Sequence, residues 1–470
     1  MNGFLDGLNN FLVSGIGFLF GPLMLCVFFG TGILLTIITR GVQFRKFGVA
    51  FREVFAGIKK KTGGGDGQLR PFQALATALS SCVGNGNVVG VATALLTGGP
   101  GAIFWMWVAA LTGMATKYSE IVLAMHFREK DDKGTWRGGV MYILTKGMKD
   151  NWKWLAKILG VVFAVCCVLV SLISCNAVQS NSMAAVLGTT LPSIPGWVWG
   201  IVFAVLSALV IFGGIKKVGS VCSVLTPVMA FLYVFFGIVI LVLNANAIPE
   251  ALRQIFLGAF TTKAAWGGVA GVTIRTALQR GVQRGVFSNE AGVGGAPLVH
   301  VTSDIDVPAK QGLYGIVEVF FDTIIICTFT ALNLMVSGIG DVIAAGTLTI
   351  DDTAIITNEA FRLTLGTLGD LVVTIALVLF CFSTIIGWYT YGETSFEWLF
   401  GSKSLVVFRI IHLGFTFLGT VLSTGILWNA ADFCNGVMCI PNLFSLLVFC
   451  GIIAKDTKKY VDPIHKLKKA

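Results

Sequence analysis

Uncharged runs of apolar residues dominate the chain, and polar stretches that hold most of the charged residues separate them. Val198–Gly214 and Leu371–Gly392, for example, contain no charged residue. A helix of about 20 apolar residues crosses the hydrocarbon core of a bilayer. Because the runs are continuous rather than alternating, they predict membrane-spanning helices and exclude a membrane β-barrel. The pattern therefore predicts an all-α polytopic membrane protein.

The apolar runs predict eleven transmembrane helices, which we call spans 1 to 11 in chain order. They cover 14–39, 71–97, 101–126, 157–187, 196–213, 220–244, 264–290, 310–335, 367–392, 404–424 and 432–453. Because the number of spans is odd, the two termini lie on opposite sides of the membrane.

Basic residues are distributed unequally between the two sides that eleven spans define. The segments 40–70 and 127–157 hold eight Lys or Arg residues each, and the tail 454–470 holds six. The loops on the opposite side hold only three such residues. Cytoplasmic loops of membrane proteins carry the excess of Lys and Arg. We therefore predict an extracellular N-terminus and a cytoplasmic C-terminus.

Composition agrees with this class and excludes a soluble enzyme. Hydrophobic residues make up 55% of the 470 residues and charged residues only 12%, against about 25% in a soluble domain. The net charge of +10 lies in the loops, so we interpret it as a topology signal and expect no nucleic-acid partner.

The 11 cysteines lie mostly in apolar runs without CxxC spacing, which predicts small core residues. The four histidines are scattered, so we expect no metal cluster. The first apolar run does not match a cleaved signal peptide.

Two loops carry predictions of their own. The segment 353–365 of the long extracellular loop 336–366 has an amphipathic pattern that predicts a short helix over the extracellular mouth. The glycine-rich segment 63–67 predicts a flexible cytoplasmic linker. Pro71, which follows it, suits the first turn of span 2 because a first-turn residue needs no backbone N–H.

Span 2 contains a sequence that disfavours a continuous helix, Gly84-Asn85-Gly86-Asn87. Each glycine costs about 1 kcal/mol relative to alanine in a helix. An unwound segment at membrane depth is tolerated only where it lines a polar cavity. Its free amides would then face an anion and its free carbonyls a cation. The alternative is close helix packing through Gly86 and Gly90, which leaves the two asparagines unexplained.

Span 7 carries polar residues throughout the segment 279–292. Arg275, Arg280 and Arg284 at membrane depth are costly, by roughly 2.5–3.5 kcal/mol each, and must face water, carboxylates or carbonyls. We expect Glu290, Glu318 and Asp322 as their partners, the last two being stacked one helical turn apart on span 8. The alternative is that the arginines extend to the cytoplasmic face, which suits Arg284 better than Arg275.

The two polar spans are five apart, so spans 2–6 and 7–11 form two five-helix halves. Because five is odd, the second half enters the membrane from the opposite side. Inverted repeats with interrupted helices in corresponding positions enclose the binding sites of secondary transporters. The predicted regions are an extra N-terminal helix with its basic loop (1–70), a first repeat (71–245), a second repeat (246–453) and a basic tail (454–470).

Span 9 adds candidate ligands for a cation. Ser383 and Thr384 are adjacent hydroxyls, and the carbonyl groups released near Val83 would face them, which gives the oxygen ligands that a hard cation prefers. Trp388 lies one turn further and would wall a small apolar pocket. In the inverted repeat span 9 corresponds to span 4, which contains Gln179. The alternatives are hydroxyls that bond to their own helix and a tryptophan at the membrane interface.

At these residues the sequence resembles the bacterial alanine/glycine:cation symporters, a family of the amino acid–polyamine–organocation superfamily. The matching stretches are 73–87, GGPGAIFWMW (98–107), GMATKYSE (113–120), RGVFSNEAG (284–292) and FSTIIGW (382–388). The resemblance implies a leucine-transporter-type fold with a 5+5 inverted repeat and one extra N-terminal helix. It also implies uptake of a small neutral amino acid, usually alanine or glycine, with Na+ or sometimes H+, across the bacterial inner membrane.

The resemblance also implies a site. The Na+ would be bound by the Val83 carbonyl with Ser383 and Thr384. The amino acid would be bound by residues of spans 2, 4, 7 and 9, namely Gly84, Asn85, Gly86, Asn87, Gln179, Phe287, Ser288, Asn289, Thr384 and Trp388. Asn85 stands where members of the family have threonine, a departure that bears on how the substrate carboxylate is held. No organic cofactor is implied, and Na+ is the coupling ion.

Two other classes of function are poorly matched. A channel needs a ring of carbonyls or charges and usually oligomeric symmetry, and a membrane enzyme needs a cluster of His, Asp or Cys. We therefore expect a multi-pass, monomeric symporter in the lipid bilayer rather than an enzyme. Within that class the coupling ion stays open. The absence of a carboxylate from Gly84–Asn87 favours Na+, whereas Glu290 keeps H+ as the alternative.

Overall fold

The computed structural model describes residues 2–59, 66–132, 134–261, 273–344, 353–422 and 425–461. These residues are almost entirely helical. The exception is a hairpin of two short antiparallel strands, β1 (Glu129–Lys130) and β2 (Trp136–Arg137), with Glu129 opposite Arg137. The hairpin lies in the basic segment 127–157, where no strand was predicted.

Helices α1 to α12 and the short segments between them form the first half of the chain. They are α1 (Asn2–Leu19), α2 (Pro22–Ile38), α3 (Val42–Arg45), α4 (Phe47–Lys59), α5 (Pro71–Cys82), a π-helical segment (Gly86–Gly90), α6 (Val91–Gly98), α7 (Gly101–His126), α8 (Val140–Gly147), a 3-10 turn (Asp150–Trp152), α9 (Lys153–Leu172), a π-helical segment (Ile173–Ala177), α10 (Val178–Thr190), α11 (Gly196–Ile211) and α12 (Gly214–Leu243).

Helices α13 to α23 and their connecting segments form the second half. They are a 3-10 turn (Ala245–Ala247), α13 (Ile248–Phe260), α14 (Ile274–Asn289), α15 (Pro297–His300), α16 (Pro308–Val319), a π-helical segment (Phe320–Cys327), α17 (Thr328–Val336), α18 (Ile339–Ala344), α19 (Thr353–Leu365), α20 (Thr367–Phe400), a 3-10 turn (Ser402–Ser404), α21 (Leu405–Gly419), α22 (Gly425–Val448), α23 (Cys450–Asp456) and a π-helical segment (Thr457–Val461).

Six helices in the described residues are long and apolar enough to cross a membrane, and there are eight if each of two bent pairs is one span. These eight coincide with predicted spans 1, 2, 4, 6, 8, 9, 10 and 11. The other three predicted spans coincide with α7, α11 and α14. The protein is therefore a multi-pass helical protein, and the number eleven and the orientation of the termini stay predictions.

Span 1 differs from its predicted bounds of 14–39. The helix begins at Asn2, and α1 and α2 meet at a bend of 44°. Pro22 occupies the first turn of α2, where its missing N–H removes no helical hydrogen bond. α1 packs against α22, with the rings of Phe11 and Phe433 5.5 Å apart. The prediction missed this first part because its polar residues interrupt the apolar run.

The loop predictions have different outcomes. The helix predicted over 353–365 is confirmed with the same bounds as α19, while its place over an extracellular mouth stays a prediction. Most of the segment 63–67 lies outside the described residues. Its last residue, Gly67, is closely packed, because an added Cβ would lie 2.2 Å from the Ser303 carbonyl carbon. Leu69 then exchanges backbone hydrogen bonds with Thr302 (3.1 Å) and Asp304 (2.9 Å). A flexible linker is therefore wrong at its C-terminal end.

Two central helices, α7 and α20, each pack closely against several others. α7 packs along both α14 and α16, and its second half is buried, including the charged residues Lys117 and Glu120. α20 packs across α5, α9 and α12. At the crossing with α5, a Cβ on Gly387 would lie 2.4 Å from the Ser81 Oγ. Glycine at this position therefore allows the close approach that brings α20 to the end of α5.

Candidate functional site

The predicted interruption of span 2 is present. α5 ends at Cys82, Val83 has extended backbone angles (φ −77°, ψ 94°), and the helix resumes through the π-helical segment Gly86–Gly90 into α6. The two parts are bent by 51°. An added Cβ on Gly90 would meet its nearest neighbour only at 4.0 Å. An added Cβ on Gly86 would lie 3.1 Å from the Phe287 ring, so the packing alternative holds at Gly86 and not at Gly90. The extended Val83 and the bend confirm the break.

Side-chain amides cap the backbone groups that the break releases. Gly84 N–H donates to Asn87 Oδ1 (3.0 Å), and Asn85 N–H donates to Gln179 Oε1 (3.1 Å). Gln179 Nε2 in turn donates to Asn85 Oδ1 (2.8 Å), so Asn85 and Gln179 form a reciprocal pair between the break and α10. Buried backbone donors require such partners. The amides of this break are therefore held by neutral side chains.

Carbonyl and hydroxyl oxygens converge where α20 meets the end of α5. Thr384 Oγ1 lies 3.1 Å from the Ser80 carbonyl oxygen and 3.3 Å from that of Val83, and Ser383 Oγ lies 3.3 Å from the Ser80 oxygen. Both hydroxyls also lie within hydrogen-bonding distance of Phe380 O on their own helix, at 2.8 Å and 3.0 Å. The structure thus brings Val83, Ser383 and Thr384 together, in a fully buried position.

Ser80 was missed as a member of this group. In a continuous helix its carbonyl would accept from the N–H of Gly84, four residues later. That N–H bonds to Asn87 instead, which leaves the Ser80 oxygen free to face α20. The signal was available in the sequence, since a break at Gly84 releases the carbonyl four residues before it.

A cavity of about 20 Å³ lies beside the break. This is the space of roughly one water molecule. Six predicted substrate residues line it, together with six other residues. The predicted ones are Gly84, Gly86, Gln179, Phe287, Thr384 and Trp388, and the others are Ser81, Cys82, Ser174, Cys175, Glu290 and Asn435.

The other predicted substrate residues lie behind the cavity wall and bond elsewhere. Asn87 Nδ2 and Ser288 Oγ both donate to the Asp322 carboxylate, at 2.7 Å each. Asn289 Nδ2 donates to Thr323 Oγ1 (3.0 Å). These contacts connect the span 2 break and the end of α14 to the π-helical segment Phe320–Cys327. The role that the structure suggests for these side chains is to support the cavity.

Glu290 closes the cavity on the α14 side. It follows the last residue of α14 in a left-handed conformation (φ 56°), which is uncommon for a residue other than glycine. Its Oε1 accepts a hydrogen bond from Trp388 Nε1 (2.6 Å). Trp388 also packs edge to face on Tyr391, with ring centroids 4.8 Å apart. Trp388 is thus a buried wall of the cavity, and its predicted alternative as an interfacial residue is wrong.

The predicted partners of Arg280 and Arg284 are wrong, and Arg275 is exposed near the start of α14. Arg284 Nη2 lies 3.6 Å from Asp432 Oδ2 on α22, and Arg280 Nη1 donates to Gln283 (3.2 Å), which in turn donates to Asp432. The Arg284 side chain is 11% exposed, so it packs inside the protein rather than extending into solvent. α14 turns this face toward α22, a neighbour that sequence spacing does not reveal.

The carboxylates that we expected to pair with arginines belong to another network. Glu318 Oε1 lies 3.1 Å from Lys117 Nζ, and Glu318 Oε2 lies 3.1 Å from His300 Nε2. Lys117 and Glu318 are both fully buried. The Cys82 thiol, which lines the cavity, donates to Glu318 Oε1 (3.2 Å). The charge network therefore reaches the cavity wall through Cys82.

A larger pocket of about 360 Å³ lies between α4, α5 and α12. Its walls are apolar, as Phe55, Leu79 and Met229 illustrate, and none of the lining residues is charged. A zwitterionic ligand would find no partner there. The smaller polar cavity is therefore the candidate site.

Comparison with known proteins identifies the class of the chain. The model of the sodium:alanine symporter family matches residues 6–470. The chain belongs to this family. Among its relatives, the sodium/alanine symporter AgcS of Methanococcus maripaludis is 42% identical over 94% of this chain and 95% of its own length. The amino-acid carrier protein AlsT of Bacillus subtilis is 35% identical over 94% and 91%. As a member of the sodium:alanine symporter family, the chain is a membrane transporter and not an enzyme.

Two further comparisons concern the substrate names of relatives and the fold. The probable sodium/glutamine symporter GlnT of Bacillus subtilis is 32% identical over 94% of this chain and 88% of its own length, so related proteins carry different substrate names. The crystal structure of MhsT in complex with L-phenylalanine matches with a TM-score of 0.56, covering 82% of this chain and 91% of MhsT at 12% identity. The chain therefore shares the fold of MhsT.

Proposed function

We propose that the protein takes up a small neutral amino acid, alanine or glycine, together with Na+ by alternating access. The observation that carries this proposal is the span 2 break, where backbone amides capped by neutral side chains and a group of oxygens lie close together at Gly84. The amides of Gly84 and Asn85 suit a carboxylate, because N–H groups at the start of a helical segment attract anions. Family membership supports the same class of function.

The oxygens beside Thr384 suit the coupling ion. Hydroxyl and carbonyl oxygens are the ligands that hard cations prefer, and Thr384 Oγ1 lies within 3.3 Å of both the Ser80 and the Val83 carbonyl oxygens. A Na+ there would bind these carbonyls and so fix the residues that precede the Gly84 amide. Binding of the ion and of the amino acid would then strengthen each other reciprocally.

The size of the cavity favours a small side chain. GlnT carries the name of a larger substrate, so the family alone does not define the pocket. In this chain Phe287, Trp388 and the Asn85–Gln179 pair restrict the cavity to about 20 Å³. Admitting an amino acid requires the caps to move, and each additional methylene would require more movement. Alanine and glycine are therefore the preferred substrates of the proposal, and excess methylenes cost about 1–3 kcal/mol each.

The wider architecture belongs to the proposal too. We infer a leucine-transporter-type 5+5 inverted repeat, with halves 71–245 and 246–453 and one extra N-terminal helix. Two interrupted elements in corresponding places support it, the break between α5 and α6 and the one between α14 and α15. The charge distribution supports a cytoplasmic C-terminus. A monomer in the bacterial inner membrane completes the proposal.

The test is uptake of radiolabelled alanine and glycine by proteoliposomes with a Na+ gradient, a H+ gradient or neither. We expect saturable uptake with the Na+ gradient. Thr384→Val removes a proposed ion ligand and should lower the apparent Na+ affinity by about 10-fold or more. Thr416→Val is the matched control, because the buried Thr416 hydroxyl donates only to His412 O on its own helix (3.1 Å) among the described residues.

The other outcomes discriminate between hypotheses. Uptake driven by H+ alone would replace Na+ by a proton as the coupling ion, for which the buried Glu290 beside the cavity is the candidate carrier. No uptake of either substrate by folded protein would refute the substrate assignment. Equal Na+ dependence in Thr384→Val and wild type would refute the ion site.

A further inference from the structure

Glu290 has one carboxylate oxygen that the protein leaves without a partner. Oε1 accepts from Trp388 Nε1 (2.6 Å), whereas Oε2 is buried and has no hydrogen-bond partner among the described residues. The Cys82 thiol, which also acts on Glu290, has Glu318 Oε1 as its side-chain acceptor at 3.2 Å. A buried carboxylate oxygen without a donor is costly. Its presence on the wall of the candidate substrate cavity therefore calls for a ligand that donates.

The charges around Glu290 do not already neutralise it. Lys117 is the cation among its electrostatic neighbours, and Glu318 is another carboxylate. The Lys117 ammonium lies 3.1 Å from Glu318 Oε1 and is directed to that ion pair. Glu290 is thus a second acidic side chain at the cavity beside one engaged lysine. A cationic group in the cavity would stabilise its ionised form, which burial disfavours.

The cavity lining combines two kinds of group. Gly84 and Gly86 of the span 2 break line it together with Glu290 and Trp388. An α-amino acid carries a carboxylate and an ammonium group on the same carbon, so one bound molecule would contact both kinds of group. We propose that Glu290 Oε2 binds the α-ammonium group of the transported amino acid and selects substrates that carry a free amine. This inference rests on the proposed function and adds a residue that neither the sequence motifs nor the family match assigned to the substrate.

A consequence is discrimination between alanine and its analogues. Propionate has the carboxylate and methyl group of alanine but no amine, and the Glu290 carboxylate would repel it. N-acetylalanine has an amide that carries no positive charge. Hydrogen bonds to charged groups contribute roughly 1.5–3 kcal/mol, so Glu290→Gln should weaken alanine binding by about 10- to 100-fold. The same substitution should leave propionate binding unchanged or strengthen it, because it removes the repulsion.

The experiment measures binding of alanine, propionate and N-acetylalanine to the purified full-length protein at several Na+ concentrations. Glu120→Gln is the matched control. Glu120 is also buried, has one oxygen without a partner among the described residues, and belongs to the same charge cluster, but it does not line the cavity. Its Oε1 accepts from Gly292 N–H (2.8 Å), a bond that glutamine retains. We expect Glu120→Gln to keep the alanine-to-propionate ratio of the wild type.

Each outcome decides a different point. A fall in that ratio for Glu290→Gln alone supports the inference. An unchanged ratio in folded Glu290→Gln would overturn it while leaving Na+-coupled uptake intact. A variant with normal ratio but altered Na+ dependence would also overturn it, because Glu290 would then serve the ion. Wild-type protein that binds no alanine at any Na+ concentration would refute the proposed function itself.

Discussion

The two interrupted helices are held open in different ways. In the break between α5 and α6, neutral side-chain amides of Asn87 and Gln179 cap the free N–H groups. In the break between α14 and α15, the left-handed Glu290 and the positive-φ glycines Gly292 (95°) and Gly294 (85°) bend the backbone. There the Gly292 N–H bonds to the Glu120 carboxylate (2.8 Å). One break is thus capped by amide side chains and the other by an acidic side chain.

The difference in capping indicates at which break a ligand can replace the side chains that bond to the backbone N–H groups. A hydrogen bond to a charged group is roughly twice as strong as one between neutral groups, so a substrate carboxylate can replace a neutral amide cap at a gain. Replacing the Glu120 carboxylate at Gly292 offers no such gain. We therefore interpret the first break as the exchangeable surface, where a ligand replaces the capping side chains. The second break is then a fixed frame, a rigid segment that positions Glu290. Substitutions in the first should impair transport, and those in the second should impair stability.

The largest expected effect is that of Gly84→Ala in the first break. An added Cβ would lie 2.5 Å from Thr384 Oγ1 and 3.2 Å from Gln179 Oε1. It would separate the ion ligands from the break, and we expect Na+-driven alanine uptake to fall by about 100-fold. Gly90→Ala is the control, since its nearest neighbour would be 4.0 Å away and uptake should stay normal. Normal uptake by Gly84→Ala would show that the break is not the exchangeable surface.

The next effect is that of Gly294→Ala in the second break. A residue other than glycine is strained at φ 85°, and the new Cβ would lie 2.8 Å from Val140 and 2.9 Å from Asn442. We expect a stability loss of about 2–4 kcal/mol, seen as a lower melting temperature in detergent, with alanine affinity retained by the folded fraction. Gly338→Ala has the same strain (φ 81°) without a close neighbour and should lose about 1–2 kcal/mol. Weakened alanine affinity without a loss of stability would reverse the roles of the two breaks.

The same comparison explains what the sequence could predict. The first break was predictable because Gly and Asn residues follow one another within an apolar run. The second break lies at the C-terminal end of the polar segment 279–292, because α14 continues to Asn289, Glu290 is left-handed and the positive-φ glycines begin at Gly292. A run of apolar residues identifies a membrane span, but it does not locate the end of a helix whose last turns are polar. The helices of the predicted spans could thus be found without their exact ends.

Partners from distant parts of the chain could not be predicted. Glu120 at Gly292, Asp432 at Arg284 and Lys117 at Glu318 are contacts between helices far apart in sequence. They depend on which helix faces turn toward each other, and a single sequence contains no record of this. Adjacent hydroxyls predict Ser383 and Thr384 as cation ligands, whereas the backbone carbonyl of Ser80 can be inferred only once the break is located at Gly84. The sequence likewise does not show that the side chains of Asn87, Ser288 and Asn289 bond to Asp322 and Thr323 instead of lining the cavity.

The smallest expected effect lies outside both breaks, at a backbone contact that joins the start of α5 to the residues after α15. Leu69, just before α5, shares backbone hydrogen bonds with Thr302 and Asp304, just after α15. Asp66 flanks this link and accepts hydrogen bonds from Lys130 and from Trp136 Nε1 (2.8 Å), both of which lower the pKa of its exposed carboxyl. Because the folded pKa is below the unfolded one, the stabilisation is present above about pH 4 and is lost as the pH falls through the folded pKa.

Asp66→Asn should therefore leave alanine uptake within about twofold of wild type, since surface ion pairs contribute little. Any difference in melting temperature should be seen at pH 7 and vanish at the acid end of the range, where the wild-type carboxyl is protonated as well. The measurement is the melting temperature from pH 3 to pH 7, with uptake in parallel. A large loss of uptake would mean that this surface contact fixes the position of the first break relative to the second. The rigid segment that contains the second break would then include the start of α5.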